Sequence, residues 1–181
     1  MRSVLSTFLT IALMVLMSLG SSLTVSMPAQ AGTMAPLPIA ALPGVGAFTA
    51  GTRPDDIGVT EGKLLSCPAS PNCVVSQDGD AEHAIAPIAY TTDRATALKN
   101  LTDILGVVPR TKIITQNDDY VLAESESRLM GFVDDSEFYF PKGEKVIQVR
   151  AAARLGESDL GVNRRRIEQI RLAFQDLEQR L

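Results

Sequence analysis

The side chains best placed to do chemistry fall in one stretch, residues 127–170. Asp134, Asp135 and Glu137 form an acidic run, Arg150 and Arg154 a basic one, and Asp159, Asn163, Arg164, Arg165 and Arg166 surround a helix start. Such a set has two main uses. Guanidinium groups fork onto carboxylates, so it can form an ion-pair lattice joining sheet to helix. The same arginines, with Arg128 nearby, can instead hold the phosphate, carboxylate or sulfate group of a ligand. Paired carboxylates could also do acid–base work. Adjacent strand residues point to opposite faces, however, so Asp134 and Asp135 do not converge. On a regular strand Arg150 and Arg154 stand about 13 Å apart, which suits a groove better than a clamp on one small anion.

The elements that position these groups begin with Pro141-Lys142-Gly143-Glu144, a turn signal between two extended runs. A hairpin centred on Lys142-Gly143 pairs Phe140 with Lys145, Phe138 with Ile147, Ser136 with Val149 and Asp135 with Arg150. One face then carries Phe132, Phe138, Phe140, Ile147, Val149 and Ala151, and is the expected core. The other carries Asp135, Glu137, Tyr139, Gln148, Arg150 and Arg154. A one-residue slip would bury the charges. Asp134 falls on the apolar face, so it needs either a bulge that turns it outward or a buried partner from Arg128 or the helix arginines. Arg164, Arg165 and Arg166 oppose the dipole of a first helical turn. They call for anions: Asp159, Glu157 and the acidic strand, or a group from outside.

Elsewhere the spacing predicts a helix over 92–105, capped by Thr92 or Asp93, with Ala95, Leu98, Leu101, Ile104 and Leu105 on one face. Strands are expected near 112–115, 120–126, 131–140 and 145–152, a short extended segment at 85–90, and a closing helix from about Asn163. The class is α+β, an antiparallel sheet of about four strands packed against one or two helices. The N-terminal part, 57–77, reads as loop-rich and held by a disulfide. Cys67 and Cys73 are the only cysteines. An even count in an exported chain favours their pairing over free thiols, and a metal site needs more ligands than these two and His83.

Export is read from the N-terminus. Met1-Arg2 precedes an uncharged run ending in Met27-Pro28-Ala29-Gln30-Ala31. That pattern is a secretory signal cut after Ala31; the alternative is an uncleaved anchor, since the run can span a bilayer core of about 30 Å. Residues 32–50 read as a Pro/Ala/Gly-rich linker and 51–181 as a single domain. Without Arg2 the chain keeps 16 of its 17 basic residues against 21 acidic, net −5, which gives no footprint for nucleic acid. Residues 118–144 carry eight acidic and two basic groups, whereas 150–166 carry five arginines against Glu157 and Asp159. Internal neutralisation is the simpler reading of that asymmetry, an external partner the other.

Little enzyme chemistry is visible. His83 is the one histidine, and no Gly-x-Ser-x-Gly elbow, phosphate-binding glycine loop or nucleotide fingerprint occurs. No cofactor is expected.

Four separated motifs carry a resemblance. They are Cys67-Pro68-Ala69-Ser70-Pro71-Asn72-Cys73-Val74-Val75-Ser76-Gln77, then Gly131-Phe132-Val133-Asp134-Asp135, then Val149-Arg150-Ala151-Ala152-Ala153-Arg154-Leu155-Gly156. The last is Ser158-Asp159-Leu160-Gly161-Val162-Asn163-Arg164 with Arg166-Ile167-Glu168. Over roughly 51–174 the chain resembles the domain-of-unknown-function 1499 family. The resemblance implies an exported or membrane-attached protein of bacteria, cyanobacteria or plastids, hence a periplasm or thylakoid lumen, and no established activity. It also implies serines around residues 150–154, where this chain has Ala151 and Ala153. The expectation is a non-catalytic extracytoplasmic module. Its partner is a protein, a membrane complex or a small anionic ligand, bound through Arg128, Asp134, Asp135, Arg150, Arg154, Asp159, Asn163, Arg164 and Arg166. The alternative is an enzyme using Asp134 or Asp135 with Arg150 and Arg154 on an anionic substrate.

Overall fold

The computed structural model describes residues 49–180, so the expected signal or anchor (1–31) and nearly all of the expected linker (32–50) lie outside the described residues. Among the described residues, eight strands and two helices follow in chain order. Strands β1 (Val59–Thr60) and β2 (Lys63–Leu64) form a small antiparallel ribbon. Its turn residues Glu61 and Gly62 both have positive φ, 52° and 78°, as a two-residue hairpin with right-handed strand twist demands.

The main sheet is antiparallel throughout. It runs β3 (Cys73–Val75), β8 (Val146–Ala153), β7 (Val133–Tyr139), β6 (Tyr120–Glu126), β5 (Thr111–Gln116), while β4 (Ile88–Ala89) also pairs with β8. The fold is thus α+β with six strands in the sheet rather than about four. The additional strands, β3 and β4, have three and two residues, too short to leave a period in the sequence. A disulfide joins Cys67 to Cys73 at the mouth of β3.

Both helices cover one face of this sheet. Helix α1 (Arg94–Val107) starts where the Asp93 carboxylate accepts the Thr96 N–H at 3.0 Å. Ala97, Leu101 and Leu105 point inward; Ala95, expected on that face, is exposed. Helix α2 (Val162–Glu178) contributes Ile167, Ile170 and Phe174. These side chains enclose Phe138, Phe140, Ile147, Val149 and Ala151 of the sheet. No helix among the described residues is long and apolar enough to cross a membrane.

The β7–β8 register differs by two residues from the one expected from the turn. Phe138 pairs with Val149, Ser136 with Ala151, Glu137 with Arg150 and Asp135 with Ala152. The reason lies at the loop ends. Phe140 donates its N–H to Asp119 O and Lys145 O accepts from Tyr90 N, so the two are bonded away from each other. The loop widens, and a shift of two keeps every side chain on its face. Phe132 is the exception. It precedes β7 and is half-exposed rather than in the core.

The second face of the sheet is not solvent. Residues 51–64 lie over it, with Arg53 reaching Glu124 and the Gly58 N–H reaching Glu137. The chain enters at Gly51, whose φ is +66° and where a Cβ would stand 2.8 Å from Arg154 Cβ and 2.9 Å from Leu155 Cγ. Only glycine permits that close approach.

Candidate functional site: an ion-pair lattice and a cavity at the end of the sheet

Beneath the N-terminal segment, charged side chains are built into a lattice. Glu137, 0% exposed, accepts from Arg150 Nη1 at 3.0 Å, the Tyr120 hydroxyl at 2.9 Å and Gly58 N–H at 2.7 Å. Burial pushes the Glu137 carboxyl above the usual range against the pull of Arg150 and the other donors, and burial likewise raises the Tyr120 phenol. Arg150 therefore pairs with Glu137, not with Asp135 as expected, because the register places those two side chains directly opposite. Asp135 instead binds Arg154 through two parallel bonds, Nε–Oδ2 and Nη2–Oδ1, each 2.7 Å. Arg154 also donates to Glu124, which accepts from Arg53 as well. Burial opposes ionisation of Glu124, but the bonds from Arg154 and Arg53 outweigh it and hold its carboxyl low.

Asp134, on the opposite face, has a buried partner. No bulge interrupts β7 at Asp134 and Asp135, and Arg166 Nη2 reaches across from α2 to Asp134 Oδ2 at 2.7 Å. Arg166 Nη1 donates to Asn163 Oδ1 at 2.6 Å, Asn163 Nδ2 to Asn72 O at 3.2 Å, and Asn72 Nδ2 to Gly156 O at 2.5 Å. One hydrogen-bonded chain thus ties the disulfide loop, the β8 exit, the closing helix and the acidic strand. These are the four segments that carry the resemblance. At the helix start, Asp159 accepts the N–H groups of Gly161 and Asn163, so an anion offsets the arginines there. Arg164 and Arg165 are aimed elsewhere, onto the carbonyls of Glu82 and Ala84 and of Leu160. The three arginines point in three directions and do not form one anion clamp. Glu157 is exposed.

Beside this network lies a cavity of about 220 Å³ between the β6–β7 turn and the β8–α2 loop. Phe132, Leu155, Leu160 and Val162 make its apolar rim; Asp134, Asp159, Ser127 and Ser158 supply its polar groups. Burial pushes the Asp134 carboxyl above the usual range in spite of Arg166, and the charge of Asp159 adds to that.

Of the candidate residues, Asp135, Arg150 and Arg154 are internal, at 2%, 4% and part-buried respectively, each committed to a protein partner. Asp134 and Asp159 line the cavity, with Arg166 and Asn163 behind them; Arg128 is exposed on the adjoining turn. Sequence reasoning missed Arg53, Tyr120, Glu124, Ser127, Ser158 and the apolar rim. Parity along β6 would have placed Tyr120 and Glu124 on the charged face. Nothing in the sequence pointed to Arg53. Asp134 and Asp135 enter separate networks, so they cannot share a proton. Among the described residues no group of three or more His, Cys, Asp or Glu could hold a metal ion.

A family model described as "Protein of unknown function (DUF1499)" matches residues 63–174, and the chain belongs to that family. No curated protein and no solved structure matches it.

Proposed function

We propose that this DUF1499 protein is a non-catalytic extracytoplasmic binding module that engages its partner through the cavity end of the sheet, the ion-pair lattice on the other face serving as scaffold. One observation carries the reading. Of the nine large apolar side chains exposed among the described residues, six lie beside the cavity: Leu129, Met130, Phe132, Leu155 and Leu160 on its two flanking loops and Val162 at the first residue of α2. Scattered surface leucines need no explanation, but a cluster around a concave site marks an interaction surface. The same loops carry Arg128 and Asp159, and Asp134 of β7 lines the cavity between them, which gives the cluster polar groups to orient what it binds. The enzyme alternative has less support: Asp135 and Arg154 are paired with each other and Arg154 also with Glu124, while Arg150 is buried against Glu137 with its Nε left unpartnered.

A photo-crosslinking residue at position 160, 83% exposed, tests the site in the exported protein, with circular dichroism as the check on folding. The control is position 172 on α2, 64% exposed. Adducts at 160 that are absent at 172 are expected, whether to protein, lipid or small molecule. Equal labelling, or none at 160, overturns the reading.

A further inference from the structure

We infer that the partner of this surface is an anionic lipid bilayer, against which the two loops dock peripherally; the inference rests on the reading just given. Three observations converge. The apolar side chains are at loop tips. Leu129 and Met130, 67% and 48% exposed, sit on a tight turn closed by Ser127 N–H to Phe132 O at 2.8 Å, and Leu160 projects from the facing loop. Such residues enter the headgroup region without disturbing the fold, as the apolar side of an interfacial segment does.

Second, cations sit beside them. A neighbouring hollow shares Ser127 and Val162 with the cavity and is lined by Arg110, Arg128 and Arg165, all exposed, in a chain that is acidic overall. Their arrangement suits lipid phosphates, which attract juxtamembrane cations within a Debye length. The opposing charges on these elements are Glu126 and Glu157, also exposed, and Asp159, which is occupied at the helix start. Asp134 is neutralised by Arg166.

Third, the sequence upstream of the domain can tether it. Gly51 packs against Arg154 and Leu155, and Leu155 is part of the cavity rim. The sequence places the uncharged run 3–28 upstream of Gly51, separated by residues 29–50. If that run remains in a bilayer, tethering raises the effective concentration of the loops at that surface, which multiplies a weak attraction.

The test uses the full chain reconstituted into vesicles of phosphatidylcholine with and without phosphatidylglycerol, which works whether or not the N-terminal segment is retained. An environment-sensitive fluorophore is carried on an unnatural residue at position 129 or 160, or at 172 as control, and quenched by brominated lipid. Quenching at 129 and 160 but not 172, stronger with phosphatidylglycerol and weakened by salt, is the expected result. Arg128→Gln with Arg165→Gln should lower the docked-to-free ratio about twenty-five-fold, from roughly fivefold for each cation near the surface. These exposed side chains lie outside the core, so the variants should fold, with circular dichroism as the check. Equal quenching at all three positions, or none, overturns the bilayer assignment. If position 160 nonetheless crosslinks to a protein or small molecule in the exported protein, the binding surface stands and only the lipid partner falls; if it crosslinks to nothing there, both fall.

Discussion

Replacing Arg150 with alanine asks whether the charged face of the sheet is scaffold. Glu137 is fully buried and holds three donors, of which Arg150 alone is a cation. Arg150→Ala leaves a buried carboxylate on the Tyr120 hydroxyl and the Gly58 N–H. Stranding one member of a buried pair costs about 3–5 kcal/mol, a large part of the roughly 5–15 kcal/mol that holds a domain together. The loss should depend on pH in a definite direction. Burial already raises the Glu137 carboxyl above its ordinary value, and removing Arg150 raises it further. A group whose folded pKa exceeds its unfolded one favours the fold when protonated. Its contribution is fully present below the unfolded value of about 4.3 and is lost as pH rises through the folded one. The deficit of the variant against the parent is therefore largest at neutral pH and shrinks on acidification. Arg154→Ala should cost less, about 1.5–3 kcal/mol, because Arg53 remains beside both Glu124 and Asp135. Urea unfolding followed by circular dichroism at several pH values, disulfide intact, measures all three quantities. An Arg150→Ala deficit below about 1 kcal/mol, as for an exposed ion pair, and indifferent to pH, would refute the scaffold argument.

Three other outcomes follow from the same geometry. Cys67→Ser with Cys73→Ser removes a cross-link of sequence separation 6 and should lower stability by about 2 kcal/mol, read as a shift of the urea midpoint. Glu178 opposes its partial burial by accepting from both the N–H and hydroxyl groups of Thr91 and Thr92, which pulls it down to about 2. Its contribution is present above the unfolded value and fades as pH falls toward about 2, so Glu178→Gln should flatten the acid limb of the stability curve and cost about 1–3 kcal/mol at neutral pH. His83 hydrogen-bonds Asp80 through Nδ1 at 2.8 Å and Ser70 O through Nε2 at 3.2 Å, and the Asp80 bond raises its pKa. Both partners accept, so the imidazolium suits the site. Its stabilisation is full below about 6.5 and is lost as pH rises through the higher folded value, and the gap between parent and His83→Asn, measured by thermal unfolding, should narrow from pH 6 to pH 9.

The parts of the fold legible in the sequence are those with period. Residues 120–126 form a strand with the expected bounds, the two helices start within two residues of expectation, and the α+β class follows from their order. Side-chain parity also put Glu137 and Arg150 on one face, whatever the register. Pairing was not legible, because it is set by contacts distant in sequence: Tyr90 to Lys145 and Asp119 to Phe140 widen the hairpin loop unequally, so that Tyr139 pairs with Gln148 and the register moves by two. Nor was the burial of the charged face. An alternating strand normally signals one wet side, and here the cover is residues 51–64, which have no period of their own. Phe132 was misassigned for a related reason. It sits ahead of the first strand residue, where the chain is already turning, so alternation no longer determines its side.

The charge asymmetry between 118–144 and 150–166 has a mostly internal account. Glu137 meets Arg150, Asp135 and Glu124 meet Arg154, and Asp134 meets Arg166, so four carboxylates and three arginines from those two segments neutralise one another inside the molecule. Arg53 closes the balance from the covering segment. A surface inferred from the sequence charges would therefore be drawn on the wrong face. Once the internal pairs are removed, the arginines left near the sheet's end are Arg110, Arg128 and Arg165, beside Leu129, Met130 and Leu160. Cations next to exposed apolar tips differ in kind from a carboxylate–guanidinium lattice, since Arg110 and Arg165 each give one bond to a carbonyl, Glu126 O and Leu160 O, and keep further donors beside exposed apolar area. The lattice contributes indirectly. Arg154 lies against Gly51 and holds Asp135 at the base of β7, while Arg166 holds Asp134 under the cavity. Substitutions in it should loosen the two loops through the strand and helix ends that carry them, whereas Leu129, Arg128 or Leu160 can be changed without disturbing a single ion pair of the interior. That separability allows binding and folding to be assayed on different residues of the same protein.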